Sequence, residues 1–284
     1  MLKIGDYNTL KVARLVRGGC FLESGDPLQA EIYLPKGETP PGVRPGRSIE
    51  VFVYNESKEK LGATTRVPLA KVGDFASLTV KEVTSFGAFL EWGISKDLFV
   101  PRKYWEKPLH KGERAVVYLR PDYEGRGIIG TCLIEEHLVV DAGDLQLNQE
   151  VELILFDVSR LGYSVIIDGR YEGLLYHSDI FETVQVGDEK TGYIRKIRED
   201  GQIDVALHPQ GFIQASDAAT ETILKALRRA GGFLPLHDKS RPQEIYASLK
   251  ISKKLFKKTI GVMYREGAIE ILEDGIRMVS KHGA

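Results

Sequence analysis

Two short stretches of the sequence hold residue types that enzymes use. His177, Ser178 and Asp179 are the three side-chain types of a hydrolytic triad, and residues 125–130 spell GxGxxG, a pattern of dinucleotide-binding loops. Neighbouring residues of a strand point to opposite faces, so three consecutive side chains cannot hydrogen-bond in series as a triad does. The glycine pattern enters a strand at Gly127, whereas dinucleotide binding requires a following helix. We therefore predict a non-enzymatic protein with no bound cofactor.

Metal and disulfide chemistry is not predicted either. The six histidines lack the spacing of a metal site, and the carboxylates form no recognisable two-metal pattern. Cys20 and Cys132 lie far apart with no paired spacing, so neither a disulfide framework nor a zinc site is expected. Both cysteines are interpreted as small buried hydrophobic residues.

Most of the chain consists of three copies of one unit. Three pairs of segments align, namely 5–6 with 73–74, 16–22 with 84–90, and 83–88 with 158–163. Two features recur in all three copies, an apolar segment at 32–35, 98–101 and 174–177, and a glycine at 46, 112 and 187. A repeated unit is a structural module, so its function is expected on a surface that the copies share.

The composition is that of an ordinary globular protein, with 43% hydrophobic and 28% charged residues among 284. No apolar run approaches the ~20 residues of a membrane-spanning helix, and the amino-terminal residues show no signal-peptide pattern. A cytoplasmic protein without a membrane partner is predicted. The net charge of −1 argues against indiscriminate coating of nucleic acid, but residues 146–214 are acidic and residues 215–284 are basic.

Within each copy the residues alternate with the period of β-strands. In the second copy five strands are predicted, at Ser77–Val83, Ala88–Trp92, Asp97–Pro101, Ala115–Arg120 and Gly127–Leu133. Five short strands in about 70 residues fit a closed barrel of the OB type, whose exposed second and third strands bind oligonucleotides. Gly87 and Gly162 stand where the first strand turns into the second, a corner that favours a residue without Cβ.

The second and third copies resemble the S1 domain, an RNA-binding OB barrel. The motifs are Gly73-Asp74 with residues 83–91 in the second copy, and residues 172–178 and 201–209 in the third. The first copy is recognisable only by internal comparison. The resemblance implies three tandem S1-like OB-fold β-barrels, at residues 1–68, 69–145 and 146–214, and no catalytic residues.

The resemblance also implies an RNA-binding face, although no copy is complete. Its members are Phe21 and Tyr33 in the first copy, Phe86, Phe89, Arg102 and Lys103 in the second, and Tyr163 and His177 in the third. In the second copy Phe86 and Phe89 match the two aromatic residues of the family, whose rings can stack on bases. The alternative is that Phe21, Phe86 and Phe89 belong to the barrel cores, since alternation places one of every adjacent pair inside.

After the third copy the pattern changes from period two to helical. An apolar stripe at residues 222–227 ends at Gly231-Gly232, Ser240 and Pro242 begin a second helix, and Ser252 caps a third that runs to Glu266. Asp274-Gly275 then predicts a β-hairpin between Ala268–Leu272 and Ile276–Val279. Three helices and a hairpin resemble a winged-helix domain at residues 215–284, so the predicted fold is mostly β with a carboxy-terminal α+β module.

The third helix of this module has a basic face. At 100° per residue, Lys254, Lys257, Lys258 and Arg265 lie on one side together with Gly261, and the apolar residues lie opposite. The plain interpretation is a solvated charged face. The basic excess of the whole module favours phosphate binding slightly over that interpretation.

The combination of three S1-like barrels with a carboxy-terminal winged helix resembles the conserved virulence factor B family of bacterial RNA-binding proteins. Residues 231–240, 251–253 and 256–258 carry the resemblance most clearly. It implies sequence-tolerant binding of single-stranded RNA and a regulatory role in gene expression. Two alternatives remain open: an adaptor in which the acidic third barrel and basic tail contact each other or the ribosome or transcription machinery, and a reader of duplex DNA.

Overall fold

The computed structural model describes residues 2–57, 60–122, 127–139, 143–180, 183–209, 214–265 and 267–279, without the side chains of 214–217 and 265. The chain divides into two compact units, Met1–Leu207 and His208–Ala284. No helix within the described ranges combines the length and the apolar character that crossing a bilayer requires.

The first unit contains three closed five-stranded barrels. Their strands are β1 Asp6–Val16, β2 Gly19–Asp26, β3 Gln29–Pro35, β4 Ser48–Asn55 and β5 Leu61–Thr64; β6 Phe75–Val83, β7 Gly87–Leu90, β8 Leu98–Pro101, β9 Arg114–Asp122 and β10 Gly127–Thr131; β11 Glu150–Val158, β12 Gly162–Ile167, β13 Tyr171–Tyr176, β14 Glu189–Ile197 and β15 Ile203–Ala206. All three barrels have the same topology, in which the third and fifth strands pair in parallel and close the sheet. The predicted OB-like fold class is confirmed.

A β-bulge interrupts the first strand of every barrel at the same place. The pairing register shifts between Val12 and Arg14 in β1, between Val80 and Glu82 in β6, and between Leu155 and Asp157 in β11. A bulge bends its strand and increases the local twist, which a small barrel needs in order to close. The shared bulge confirms that the three copies are one structural module.

The first and second barrels share a hydrophobic core. Phe52 and Tyr54 of β4 pack into the cluster that fills the second barrel. The rings of Phe52 and Trp92 meet edge to face, with centroids 5.6 Å apart. The indole Nε1 of Trp92 donates to the carbonyl of Ala70 at 2.7 Å, and the Tyr54 hydroxyl lies 3.0 Å from Ser95 Oγ. These contacts bury large aromatic side chains between the two barrels and join them into one body.

A second cluster joins the second barrel to the third. Phe75, Val116 and Ile134 pack there against Ile166 of β12. Beside them the ring of His137 stacks on Tyr118, with centroids 4.0 Å apart. Burial, and then the charge of Arg120, lower the pKa of His137, so the packing favours the neutral imidazole.

The second unit is a small helical domain with a three-stranded sheet. Its elements are α1 Gln214–Arg229, β16 Phe233–Leu234, α2 Pro242–Leu249, α3 Lys253–Arg265, β17 Ile269–Ile271 and β18 Ile276–Met278. The sheet order β16-β18-β17 and the three helices confirm the predicted winged helix.

The predicted N-cap is found for α3 but not for α2. Ser252 caps α3, because its hydroxyl accepts the backbone N–H of Leu255 at 3.2 Å. For α2 the N-cap is Arg241 rather than Ser240. Ser240 instead accepts the backbone N–H of His237 in the preceding turn, at 2.9 Å.

Candidate nucleic-acid interface

In the first barrel, two aromatic side chains face each other across neighbouring strands. Phe21 of β2 and Tyr33 of β3 are register partners, and their ring centroids are 5.3 Å apart. The guanidinium of Arg14 lies 3.9 Å from the centre of the Phe21 ring and forms an ion pair with Glu31 at 2.8 Å. The Tyr33 hydroxyl donates to the carbonyl of Gly18. The site therefore combines an aromatic surface with a cation.

The second barrel repeats this arrangement on β7 and β8. Phe89 and Phe99 are register partners with ring centroids 5.1 Å apart. Lys81 of β6 forms an ion pair at 2.9 Å with Asp97, which stands two residues before Phe99. Phe86, in the loop before β7, has 79% of its surface exposed. The three phenylalanines give this barrel the larger aromatic surface.

Basic residues follow β8 next to this surface. The backbone N–H of Arg102 donates to the carbonyl of Phe86 at 2.9 Å, which ties the turn after β8 to the loop before β7. The Arg102 guanidinium lies 5.4 Å from the Trp105 ring, and Lys103 Nζ lies 5.0 Å from the Tyr104 ring. Both side chains are exposed.

The alternative that the phenylalanines are core residues is wrong. Phe21 and Phe89 are half-buried on the outside of their barrels, and Phe86 is exposed. The buried positions beside them are held by Leu22 and Leu90. Strand alternation accounts for the difference, since adjacent side chains point to opposite faces.

Gly87 allows the second aromatic surface to form. A Cβ at this position would lie 2.4 Å from the carbonyl oxygen of Val100 and 2.6 Å from the Phe99 ring. In the third barrel a Cβ at Gly162 would likewise overlap the carbonyl oxygen of Leu175. The close approach of the second strand to the third therefore requires glycine at the start of the second strand.

We expect Gly87→Val to lower the free energy of unfolding by about 1–3 kcal/mol, because the added atoms overlap backbone that cannot yield easily. Urea unfolding followed by circular dichroism measures the change. Gly37→Val is the matched control, since a Cβ at Gly37 meets open space. Equal stability of the two variants would contradict the argument.

The third barrel lacks the aromatic pair. The pairing of β12 with β13 places Ser164 and Leu174 where the other barrels have their two rings. Tyr163 is one position away, packs against the barrel core, and donates its hydroxyl to the carbonyl of Val184 at 3.0 Å. His177 meets Tyr163 edge to face, with its Nε2 3.0 Å from the carbonyl of Ser159. Within the described strands β12 and β13, no two outward-facing rings pair as they do in the other barrels.

In the winged helix, α3 presents the predicted basic face. Lys254, Lys257 and Lys258 are exposed, and Lys257 Nζ lies 3.9 Å from Asp238. On the opposite side of α3, Phe256, Thr259, Ile260 and Met263 are buried. The side chain of Arg265 lies outside the described part of the chain. α3 thus holds three lysines on its solvent side, in a geometry suited to phosphates.

The triad-like motif lies in a turn, and the glycine-rich motif leads into a strand. His177, Ser178 and Asp179 form a short 3-10 turn after β13 rather than part of a strand, and Asp179 pairs with Arg195 at 2.8 Å. Of the GxGxxG pattern, residues 125 and 126 lie outside the described ranges, and Gly127 begins β10. Among the described residues, no group of three or more histidine, cysteine or acidic side chains could hold a metal ion.

The two cysteines are free. Cys20 is fully buried in the core of the first barrel. Cys132 packs against the core of the second barrel, where burial raises the pKa of its thiol to about 12. A thiol with so high a pKa is a poor nucleophile at neutral pH, in agreement with a packing role.

Several residues of these surfaces do not follow from the sequence motifs. Phe99 occupies the slot that aligns with Tyr33, so closer internal comparison would have found it. Arg14 and Lys81 do not follow from any motif, because their partners, Glu31 and Asp97, are distant in the sequence.

Family models match both units of the chain. Residues 4–66 and 72–131 match the S1 domain, and residues 221–278 match the CvfB-like winged helix domain. The first copy, which the motifs reveal only by internal comparison, is thus matched directly. The matched families are nucleic-acid-binding domains rather than enzyme families.

Similar proteins span most of the chain. YitL of Bacillus subtilis (strain 168) is 26% identical over 276 residues, covering 94% of this chain and 91% of YitL. Conserved virulence factor B of Staphylococcus aureus (strain N315) is 24% identical over 277 residues, covering 89% of this chain and 91% of that protein. A crystal structure of a multidomain protein with nucleic acid binding domains from Streptococcus pneumoniae TIGR4 is 24% identical, with a TM-score of 0.47, over 97% of this chain and 98% of that one.

The matched domains agree with the barrels and the winged helix described above. OB barrels of the S1 type and relatives of the helix-turn-helix both contact nucleic acid, so nucleic-acid binding is the supported general function. The chain therefore contains S1 domains and a CvfB-like winged helix domain, and along most of its length it is similar to proteins named conserved virulence factor B and YitL.

Proposed function

We propose that this protein binds single-stranded RNA with little sequence preference and regulates gene expression after transcription. The observation that carries the proposal is the repeated aromatic pair on the outer faces of the first two barrels. Stacking of a base on an aromatic side chain contributes about 1–3 kcal/mol and tolerates every base, because all bases have a π-face. The regulatory role follows from the family resemblance.

The two aromatic pairs are accompanied by cations that suit a nucleic-acid backbone. Arg14 lies against the first pair, Lys81 lies near the second, and Arg102 follows the second. In the winged helix, the lysines of α3 would add phosphate contacts. The rings and cations of the first two barrels suit a strand whose bases stack and whose backbone meets positive charge.

A competition experiment separates the proposed function from its alternatives. The full-length protein is titrated against a fluorescent uridine oligonucleotide of ~15 nucleotides, a length within the range that OB folds cover. Unlabelled single-stranded RNA should displace it, and duplex DNA of equal length should displace it poorly. Stronger displacement by duplex DNA would favour a DNA reader, and an absence of binding to either would favour an adaptor.

Replacing Lys254, Lys257 and Lys258 together with glutamine should flatten the salt dependence of RNA binding. Each phosphate contact on a single strand contributes a slope of about −0.7 to log K against log salt, so three lost contacts should reduce the slope by about 2. Anisotropy titrations at several salt concentrations measure it. The matched control replaces Lys225, Lys239 and Lys250, which are exposed in the same unit but lie outside α3. A slope that changes equally in both variants would contradict a role for α3.

A further inference from the structure

The third barrel has a groove where the first two barrels have their aromatic pairs. Ser164 and Leu174 replace the two rings, and they line a cavity of about 320 Å³. Its walls include Leu138, which precedes the barrel, Leu161 in the loop before β12, and Gly201, which precedes the last strand. The face that carries aromatic rings in the first two barrels therefore contains a cavity in the third barrel.

An acidic residue recurs on this face in all three barrels, but only two copies are neutralised within the chain. The positions are Glu31, Asp97 and Glu172, each two residues before the equivalent third-strand positions Tyr33, Phe99 and Leu174. Arg14 pairs with Glu31 at 2.8 Å, and Lys81 pairs with Asp97 at 2.9 Å. Among the residues that the structure describes, no cation pairs with Glu172.

Further carboxylates lie around Glu172, so the third barrel differs still more from the other two in charge. Asp157 occupies the register position that Arg14 has in the first barrel, but it pairs with Lys107 and leaves Glu172 without a cation there. Glu135 and Asp200 also line the groove. Burial, and then the charge of Glu135, raise the pKa of Glu172, as expected for a carboxylate without a counter-ion.

Apolar surface continues beyond the cavity. Leu161 at its rim has 64% of its surface exposed, and Val158 at the end of β11 has 47% exposed. A small polycation would neutralise the carboxylates but would leave these side chains in water. A peptide that carries both charge and apolar side chains would cover them.

RNA is a poor occupant of this groove. Among the described residues that line the groove none is aromatic, so a base has no ring to stack on there, and the three carboxylates repel phosphates. Charge complementarity points to a cationic ligand, and the exposed leucine and valine point to one with apolar side chains.

We propose that the groove of the third barrel docks a basic, extended segment of a partner protein, with a lysine or arginine of that segment paired to Glu172 and an apolar side chain packed on Leu161 and Leu174. The partner then supplies the cation that Arg14 and Lys81 supply within the first two barrels. The segment docks while the first two barrels remain free for RNA.

The test uses the full-length protein and a fluorescent peptide of alternating lysine and leucine, with lysine–serine and glutamate–leucine peptides as comparisons. Anisotropy should show the lysine–leucine peptide binding most tightly. Glu172→Gln and Leu161→Ser, made separately, should each weaken that binding about fivefold, the upper range of one exposed charge pair or one partly covered side chain. Glu152→Gln, an exposed carboxylate elsewhere on the same barrel, should change it less than about twofold.

Four outcomes decide the proposal. If Glu172→Gln and Leu161→Ser both weaken binding of the lysine–leucine peptide and leave the affinity for a uridine oligonucleotide unchanged, the result supports a peptide groove separate from the RNA surface. Loss with Glu172→Gln alone, together with displacement of the peptide by spermidine, identifies a polyamine site and overturns the peptide proposal. Equal effects of Glu172→Gln and Glu152→Gln, or no peptide binding, also overturn it. Heat unfolding of each variant verifies that the third barrel stays folded.

Discussion

Replacing Phe89 and Phe99 together with alanine is expected to weaken binding of single-stranded RNA at least tenfold. The two rings form the outward-facing pair of the second barrel, with centroids 5.1 Å apart. Loss of even one base stack at about 1–3 kcal/mol corresponds to about tenfold or more, since 1.4 kcal/mol is a factor of ten. Anisotropy titration of a uridine oligonucleotide measures the loss.

The double variant should remain folded, because neither ring belongs to the core cluster of the barrel. The stability cost should be limited to the mutual contact of the rings, about 0.5–1.5 kcal/mol, and the small area that they bury. Phe89→Tyr with Phe99→Tyr is the control, since tyrosine keeps the stacking face. If the tyrosine variant loses as much affinity as the alanine variant, stacking is not the source of binding.

The second barrel is expected to contribute more than the first. In the first barrel, Arg14 already covers one face of the Phe21 ring at 3.9 Å, and the Tyr33 hydroxyl is bonded to Gly18. A base that stacks there must displace Arg14 or stack on the guanidinium. In the second barrel Phe86 adds a third, exposed ring.

The strands of the second barrel could be predicted closely from alternation. Ser77–Val83 was expected and Phe75–Val83 is found, and Asp97–Pro101 corresponds to Leu98–Pro101. The pattern is clear because each strand has one buried and one exposed face. Gly87 was also predictable, since the corner at the start of the second strand leaves no space for a Cβ.

Features that depend on contacts between strands could not be predicted. β16 was missed because two residues are too short to show a period. The sequence places Tyr163 beside Ser164, which stands at one of the two aromatic positions, but it does not show that the strand register turns Tyr163 towards the core. A shift of one residue moves a side chain to the other face of a strand.

Trp92→Ala is expected to lower the free energy of unfolding of the first unit by about 3–5 kcal/mol. Trp92 is 1% exposed and lies in the core that the first two barrels share. The substitution removes the ring that meets Phe52 and leaves the Ala70 carbonyl without its indole donor. Urea unfolding followed by circular dichroism, and by the fluorescence of the remaining Trp105, measures the loss.

A smaller loss, about 1–2 kcal/mol, is expected for Trp92→Phe, which keeps a ring against Phe52 but removes the indole N–H. A double-mutant cycle with Phe52→Leu then isolates the contact between the two barrels. Because the two rings touch, the cycle should give a coupling energy above about 0.5 kcal/mol. Additive effects would mean that the barrels are stabilised independently.

Trp92→Ala should also change RNA binding, by an amount that depends on the length of the RNA. The shared core holds the aromatic pairs of both barrels in one body, so a strand that reaches both gains from a high effective concentration at the second pair. If Trp92→Ala loosens the two barrels, the affinity advantage of a long uridine oligonucleotide over a short one should fall, while the affinity for the short one stays the same. An unchanged advantage in a folded variant would mean that RNA engages one barrel at a time, and the shared core would then serve stability alone.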